Sequence, residues 1–512
     1  MRRLTLLFCL AVFVFFAMGA SAQQVVLRVP ADYPTIQAAI DHAGEIISGA
    51  TPGDVLIEVS AGTYLEAVNL TNRINSPTYV VTLRAIAGPA TTIIDSSGIE
   101  NALKGRLVQN FILDGFTVRN RYDPLQICCP KGINLNDSTK ITVQNSHFDT
   151  TTQAMWFNIS DPNVTSVVYV LHNTAFTGQG TDPTAPDYVV GQAVSFATAF
   201  NYDNPDLWLQ TPASDSKLVV ADNVFRSIGG SCVRFIFPQY TLDGFAFGGY
   251  PKGSLTLIGN DLSSPFAAGL NLFGGHGHLI AGNRIHESAE GVGFSAMLGA
   301  RFENNLVVRN YNGLVFWDDD MLAGPMLAQP TVVDYNTIVD NIEAGIVYST
   351  SPGSPRGNIP LVSNNVIAFN DGGGLVAVEG NGETMTYIPI DFHSTHNDVY
   401  GNTVRSLYSP NRFFNFLPIT NPQMSNGNYS GVINSGHDLS VNPDFVNFQD
   451  GDFALKPNSK LVNAGTTPGP MRDLAGNMRD SKPDIGAFEV VEQVKDIDHG
   501  HPKAKGKRHH DD

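Results

Sequence analysis

The stretch Gly313–Asp320, "GLVFWDDD", ends an apolar run in an indole and three consecutive carboxylates. Like charges set side by side repel and raise one another's pKa values. Asp318, Asp319 and Asp320 are therefore either a solvated acidic loop ahead of the "MLAGP" turn or a group engaged with a cation or a substrate, as Ca²⁺ ligands or as a general acid. Oxygen ligands on a rigid rim hold Ca²⁺, but successive strand residues point to opposite faces, so at most two of the three can share one ion. In "GGHGH", His276 and His278 lie two apart and would share a face if extended. Histidine suits general-base work near neutral pH. Arg234, in "CVRFIF", is a permanent cation that can neutralise a substrate carboxylate. Trp156 and Trp317 offer faces on which sugar rings stack, and Asn158 and Asn271 offer amides for their hydroxyls.

These residues share a frame. The segments "GINLND" (132–137), "AMWFNI" (154–159), "AVSFAT" (193–198), "CVRFIF" (232–237), "GLNLFG" (269–274), "GVGFSA" (291–296), "GLVFWD" (313–318), "GIVYST" (345–350) and "GLVAVE" (374–379) align without gaps. Strand alternation sends Leu135, Phe157, Phe196, Phe235, Leu272, Phe294, Phe316 and Tyr348 inward. It sends Asn134, Asn136, Trp156, Asn158, Ser195, Arg234, Asn271, Phe273, Ser295, Trp317 and Ser349 outward. Between the segments an asparagine followed by an apolar residue recurs: Asn145, Asn173, Asn223, Asn260, Asn283, Asn305, Asn336, Asn365 and Asn397. Most steps between them are 22 to 37 residues and that from Asn173 to Asn223 is 50, and a roughly constant period with insertions is the mark of a solenoid. Asparagine tolerates the left-handed backbone of a sharp turn, and stacked copies can hydrogen-bond in a ladder. Helical periodicity is confined to Thr35–Gly49, where Ile36, Ala39, Ile40 and Ala43 share a face suited to covering the open end of a stack.

Two segments carry a family resemblance. "VPADYPTIQAAIDHA…GDVLIEVSAGTYLEAVNL" (29–70) resembles the opening of right-handed β-helix proteins, pectin methylesterases and pectate-lyase-like proteins among them. "NPDFVNFQDGDFALKPNSKLVNAG…DLAGNMRDSKPDIGAFE" (442–489) resembles the closing segment of bacterial choice-of-anchor β-helix proteins. The resemblance implies an all-β fold, a right-handed parallel β-helix solenoid with an N-terminal capping helix, and structural roles for Asp473, Arg479, Asp484 and Glu489. The chain is expected to divide into an N-terminal cap with first coils (23–100), β-helix repeats (101–437), a closing segment (438–491) and a disordered charged tail (492–512). The resemblance does not fix an activity. Arg234 stands where the methylesterases have their nucleophilic aspartate, and losing the nucleophile removes the covalent step. "GHG" (275–277) and "RIH" (284–286) resemble polygalacturonase motifs, but Asp318–Asp320 follow them where that family's aspartates come first.

Residues 1–22 read as a secretory signal peptide: Arg2 and Arg3, an apolar stretch, and Ala20-Ser21-Ala22. A secreted location, extracellular, periplasmic or at the cell surface, is expected, with no membrane span. Losing Arg2 and Arg3 takes the formal charge from -17 to -19. Such a surface does not attract nucleic acid, and an acidic polysaccharide needs a local basic groove or a bridging cation. Cys128, Cys129 and Cys232 imply no disulfide framework; pairing of Cys232 with one of the others stays open beside burial as small hydrophobes. The expected function is binding, with cleavage of lyase or hydrolase type left open, of a polysaccharide by a monomer. Arg234 is the neutraliser, His276 the base, the aspartates cation ligands or acid, and Trp156, Asn158, Asn271 and Trp317 the sugar contacts. Ca²⁺ is the one cofactor in question. A non-catalytic surface or adhesive scaffold is the rival.

Overall fold

The computed structural model describes residues 24–491 except 97–99, 122–129, 151, 162, 180–188, 199–214, 228, 238–252, 296–297, 319–329, 354–355, 358, 381–383, 405–420, 435 and 467. The signal segment, the C-terminal tail, Cys128, Cys129, Asp319 and Asp320 lie outside the described residues. The chain is mostly β. Its strands stack in three parallel sheets of a right-handed β-helix solenoid, and it separates into two compact units, residues 1–278 and 279–512.

In the first unit each coil visits the three sheets in turn. Gln109–Asp114 lies in the first, Thr117–Asn120 in the second and Ile133–Asn136 in the third; the next coil repeats this with Thr139–Gln144, His147–Thr150 and Gln153–Ile159. Apolar residues alternate inward, so Leu135, Phe157, Phe196, Phe235 and Leu272 form a buried column, with the rings of Phe196 and Phe235 5.8 Å apart. The helix Ile36–Ser48 covers the first coil with Ile36, Ala39, Ile40, Ala43 and Ile47. The Thr35 hydroxyl accepts from the Ala38 N–H at 3.1 Å, and the Glu66 carboxylate accepts from the Ile36 and Gln37 N–H groups at 2.9 Å each. Glu66, in the "GTYLE" motif, thus serves as a helix cap, the preferred place for an anion.

The turn into the second sheet explains the recurring asparagine. Its own backbone does not take the left-handed conformation. The residue before it does: His172, Asp222 and Gly259 have φ of 56°, 56° and 67°. The asparagine itself is extended and buried. Asn173 N–H donates to Asn223 Oδ1 at 2.8 Å and Asn223 N–H to Asn260 Oδ1 at 3.0 Å, while each Nδ2 donates to a carbonyl one coil back. Asn145 is off this ladder. It is the left-handed residue of its turn (φ 52°), and Ser146 holds the ladder position.

The second unit continues the device through Asn283, Asn305, Asn336, Asn365 and Asn397, and Asp438 ends it by accepting from the Asn397 N–H and Nδ2 at 3.0 Å. A second ladder, five residues later in each coil, runs through Asn310, Asn341, Asn370 and Asn402. Phe294, Phe316 and Tyr348 are buried within, the first two stacked at 4.5 Å. The segment after residue 438 lays Phe445, Phe453, Leu455, Leu461 and Ile485 against Leu306, Val339 and Val366. There Arg479, 3 % exposed, pairs with Glu489 at 3.0 Å and bonds Asn304 Oδ1 at 2.8 Å. Asp473 accepts from the Asn477 and Glu489 N–H groups, and Asp484 from those of Asn463 and Val490.

Candidate functional site: the outer face of the third sheet

Outward alternation on the third sheet of the first unit brings distant residues into one row. Lys104 pairs in register with Asn134, Asn134 with Trp156, Trp156 with Ser195, Ser195 with Arg234, and Arg234 with Asn271. Adjacent strands are about 4.8 Å apart, so Trp156 and Arg234 lie about 10 Å apart along the stack. A parallel row carries Arg106, Asn136, Asn158, Ala197, Ile236 and Phe273. Lys131 adds a further cation, its ammonium 5.0 Å from the centre of the Trp156 ring. Lys104 and Lys131 were not among the residues singled out in the sequence, because neither lies in a recognisable motif. The face is not evenly open. Trp156, Asn158, Arg234, Asn271 and Phe273 are half-buried, whereas Ser195 is fully buried and Ala197 and Ile236 nearly so. Outward orientation does not mean exposure there.

His276 departs from this row. Gly275 (φ 76°) turns the chain out of the third sheet, so His276 opens the strand His276–Ala281 of the first sheet, while Arg234 stays on the third. The turn needs glycine: a Cβ on Gly275 would meet the Gly253 carbonyl oxygen at 2.7 Å. His276 Nε2 lies 3.1 Å from Asp215 Oδ1. Nor do His276 and His278 share a face, because the left-handed Gly277 (φ 58°) between them breaks the alternation. His278 is buried. Its Nδ1 accepts from the Leu255 N–H at 3.0 Å and its Nε2–H donates to the Gly274 carbonyl at 3.1 Å. That fixes a neutral tautomer, and burial pushes its pKa down to about 3.

In the second unit Trp317 is outward on the strand Asn312–Asp318, flanked in register by Ser295 and Ser349. Asp318 ends that strand opposite Thr350; its side chain, with Asp319 and Asp320, lies outside the described residues. Sequence reasoning missed the carboxyl beside this indole. Glu290 is 9 % exposed and accepts a hydrogen bond from Trp317, and burial pushes its pKa up to about 7. Its carboxyl occupies space that Gly293 leaves, since a Cβ on Gly293 would stand 2.9 Å from Glu290 Oε2. The available signal was the "GVG" at 291–293, which puts glycine at an outward position where other coils carry a side chain.

Cys232 is a free, buried thiol, pushed up to about 11 by desolvation. Among the described residues no three or more His, Cys, Asp or Glu side chains group to hold a metal ion, and no helix is long and apolar enough to cross a membrane.

Comparison with known proteins agrees with the architecture. Residues 214–438 match the family model of the right-handed beta helix region. No curated protein sequence matches the chain. Among solved structures, the catalytic domain of a GH87 alpha-1,3-glucanase in complex with nigerose is 12% identical with a TM-score of 0.46, over 81% of this chain and 68% of that one. A PL6 family alginate lyase is 11% identical with a TM-score of 0.46, over 86% of this chain and 56% of that one. A hyperthermoactive exopolygalacturonase from Thermotoga maritima is 11% identical with a TM-score of 0.38, over 67% of this chain and 87% of that one. These are distant similarities to carbohydrate-active β-helix enzymes.

Proposed function

We propose that this chain is a secreted protein that binds a polysaccharide on the outer face of the third sheet in its first unit. One observation carries the reading: the in-register row of Asn134, Trp156, Arg234 and Asn271, with the Lys131 ammonium beside the indole. An aromatic plane flanked by amides and a guanidinium is the combination a sugar polymer uses, the plane for its apolar ring face and the donors for its hydroxyls or carboxylates. In the second unit, Glu290 beside Trp317 is the group fitted for proton donation, since a carboxyl with a pKa of about 7 still holds a proton near neutrality.

The test is a polysaccharide screen of residues 23–512, with and without Ca²⁺, following unsaturated sugar ends by absorbance and reducing ends in parallel. A gain in absorbance makes the protein a lyase. Reducing ends alone make it a hydrolase, with Glu290→Gln expected to lower the rate by at least 100-fold. Binding without either product leaves a non-catalytic scaffold. In all three cases Trp156→Ala should weaken binding about tenfold, equivalent to about 1.4 kcal/mol; unchanged binding in that variant sinks the assignment of the face.

A further inference from the structure

The second sheet of the first unit carries an unassigned cleft. It has a volume of about 510 Å³ and lies where the strands His147–Thr150, Thr174–Thr177 and Val224–Ser227 end. That volume falls within the range of small-ligand sites, about 300–1,000 Å³. One wall is a single register row: Asp149 opposite Phe176, Phe176 opposite Arg226, and Arg226 opposite Ser263. The floor is Thr150, Thr177 and Ser227, all buried, with Thr177 Oγ1 donating to Ser227 Oγ at 2.9 Å. Phe176 is 56% exposed, a large aromatic surface left in water on the rim of a concavity.

The charges at the cleft are balanced in an otherwise acidic chain, Arg121 and Arg226 against Asp149 and Asp261. Its lining holds two arginines and one aspartate, against a formal net charge of -17 for the whole. That aspartate is already engaged twice, by Arg121 at 2.9 Å and by Arg119 at 3.5 Å. Arg226 reaches Asp261 Oδ1 and the carbonyls of Phe225 and Asp261 through Nη1 alone, at 3.1 Å each. Among the described residues its Nε and Nη2 donors make no other bond, and a planar fork of that kind matches a carboxylate. An exposed aromatic ring one strand from a guanidinium, over a floor of hydroxyls, is complementary to a sugar that bears an acid group.

We infer that this cleft is a second saccharide site, separate from the third-sheet face, and that it takes a short uronate oligosaccharide. Phe176 stacks on a ring and Arg226 receives its carboxylate. An anionic sugar approaching the cleft meets balanced charge rather than the net negative charge of the chain.

Calorimetric titration of residues 23–512 with trigalacturonate, and with maltotriose as the neutral probe, tests this. The acidic trisaccharide should bind and maltotriose should bind at least tenfold more weakly. Phe176→Ala and Arg226→Gln should each weaken trigalacturonate at least tenfold, while Tyr169→Ala, an exposed ring on the first sheet, leaves it unchanged. Should Arg226→Gln lower the melting temperature, Phe176→Ala, whose side chain is mostly in water, still decides the matter. Equal binding of both sugars, no binding of trigalacturonate, or a loss that follows Trp156→Ala but not Phe176→Ala overturns the second site. The last of these outcomes would leave the third-sheet reading standing.

Discussion

At the scale of single residues, the two most perturbed side chains near the predicted chemistry have opposite pH signatures. His278 holds its pKa at about 3 because burial disfavours the imidazolium. Its unfolded pKa is near 6.5, so the stability it contributes is complete above that value and is lost as pH falls from 6.5 through 3. Glu290 is the reverse. Its folded pKa, raised to about 7 by burial, exceeds the unfolded value near 4.5, so its contribution is complete below 4.5 and is lost as pH rises through 7. Asp398, also raised to about 7 by burial, acts in a similar window. Urea midpoints for the wild type and Glu290→Gln at pH 5 and pH 8 read this directly: the pH-dependent difference should shrink in the variant. An identical difference in both proteins would mean that the Glu290 carboxyl is already ionised in the fold. The histidine is checked by NMR, where the His278 imidazole should remain neutral at pH 5.

At the scale of the element, the turn is built from a left-handed residue followed by a buried asparagine, and the two positions carry different energies. Asn365 donates to the carbonyls of Val333 and Ser363 and to Asn397 Oδ1, and accepts from the Asn336 N–H and Nδ2. Asn365→Ala strands several buried partners and should cost about 3 kcal/mol. Asn145 occupies the left-handed position and is exposed, bonding Asp114 at 2.8 Å. Asn145→Gly keeps the accessible backbone and should cost less than about 1 kcal/mol. Denaturant titration of the two variants separates a ladder residue from a turn residue that looks the same in the sequence. Asp438 belongs to the same logic. The last rung has no further asparagine, so a carboxylate supplies the acceptor, its other oxygen taking the Tyr429 hydroxyl at 2.9 Å.

At the scale of the whole molecule, the closing segment of the second unit rests on a buried ion pair. Arg479 and Glu489, 3 % and 5 % exposed, lie beneath Tyr335, whose ring centre is 4.7 Å from the guanidinium. Arg479→Ala leaves a buried carboxylate without its counter-charge and should destabilise the unit by about 3–5 kcal/mol. Replacing the arginine should therefore lower the denaturant midpoint strongly, and an unchanged midpoint would show that this segment does not contribute to the cooperative core. The sequence by itself determined the solenoid, because inward alternation and a repeating buried asparagine are local and periodic; every inward residue named from Leu135 to Tyr348 is buried. It also determined the row of Asn134, Trp156, Ser195, Arg234 and Asn271, since in-register stacking turns sequence alignment into spatial adjacency. Only the tertiary structure decided what leaves that row. Two left-handed glycines, Gly274 and Gly275, moved His276 to another sheet, burial closed over Ser195, and an empty position at Gly293 admitted Glu290 beside Trp317. Backbone direction at a glycine and desolvation of a carboxyl are set by neighbours a coil or more away, and no periodicity in the chain records them.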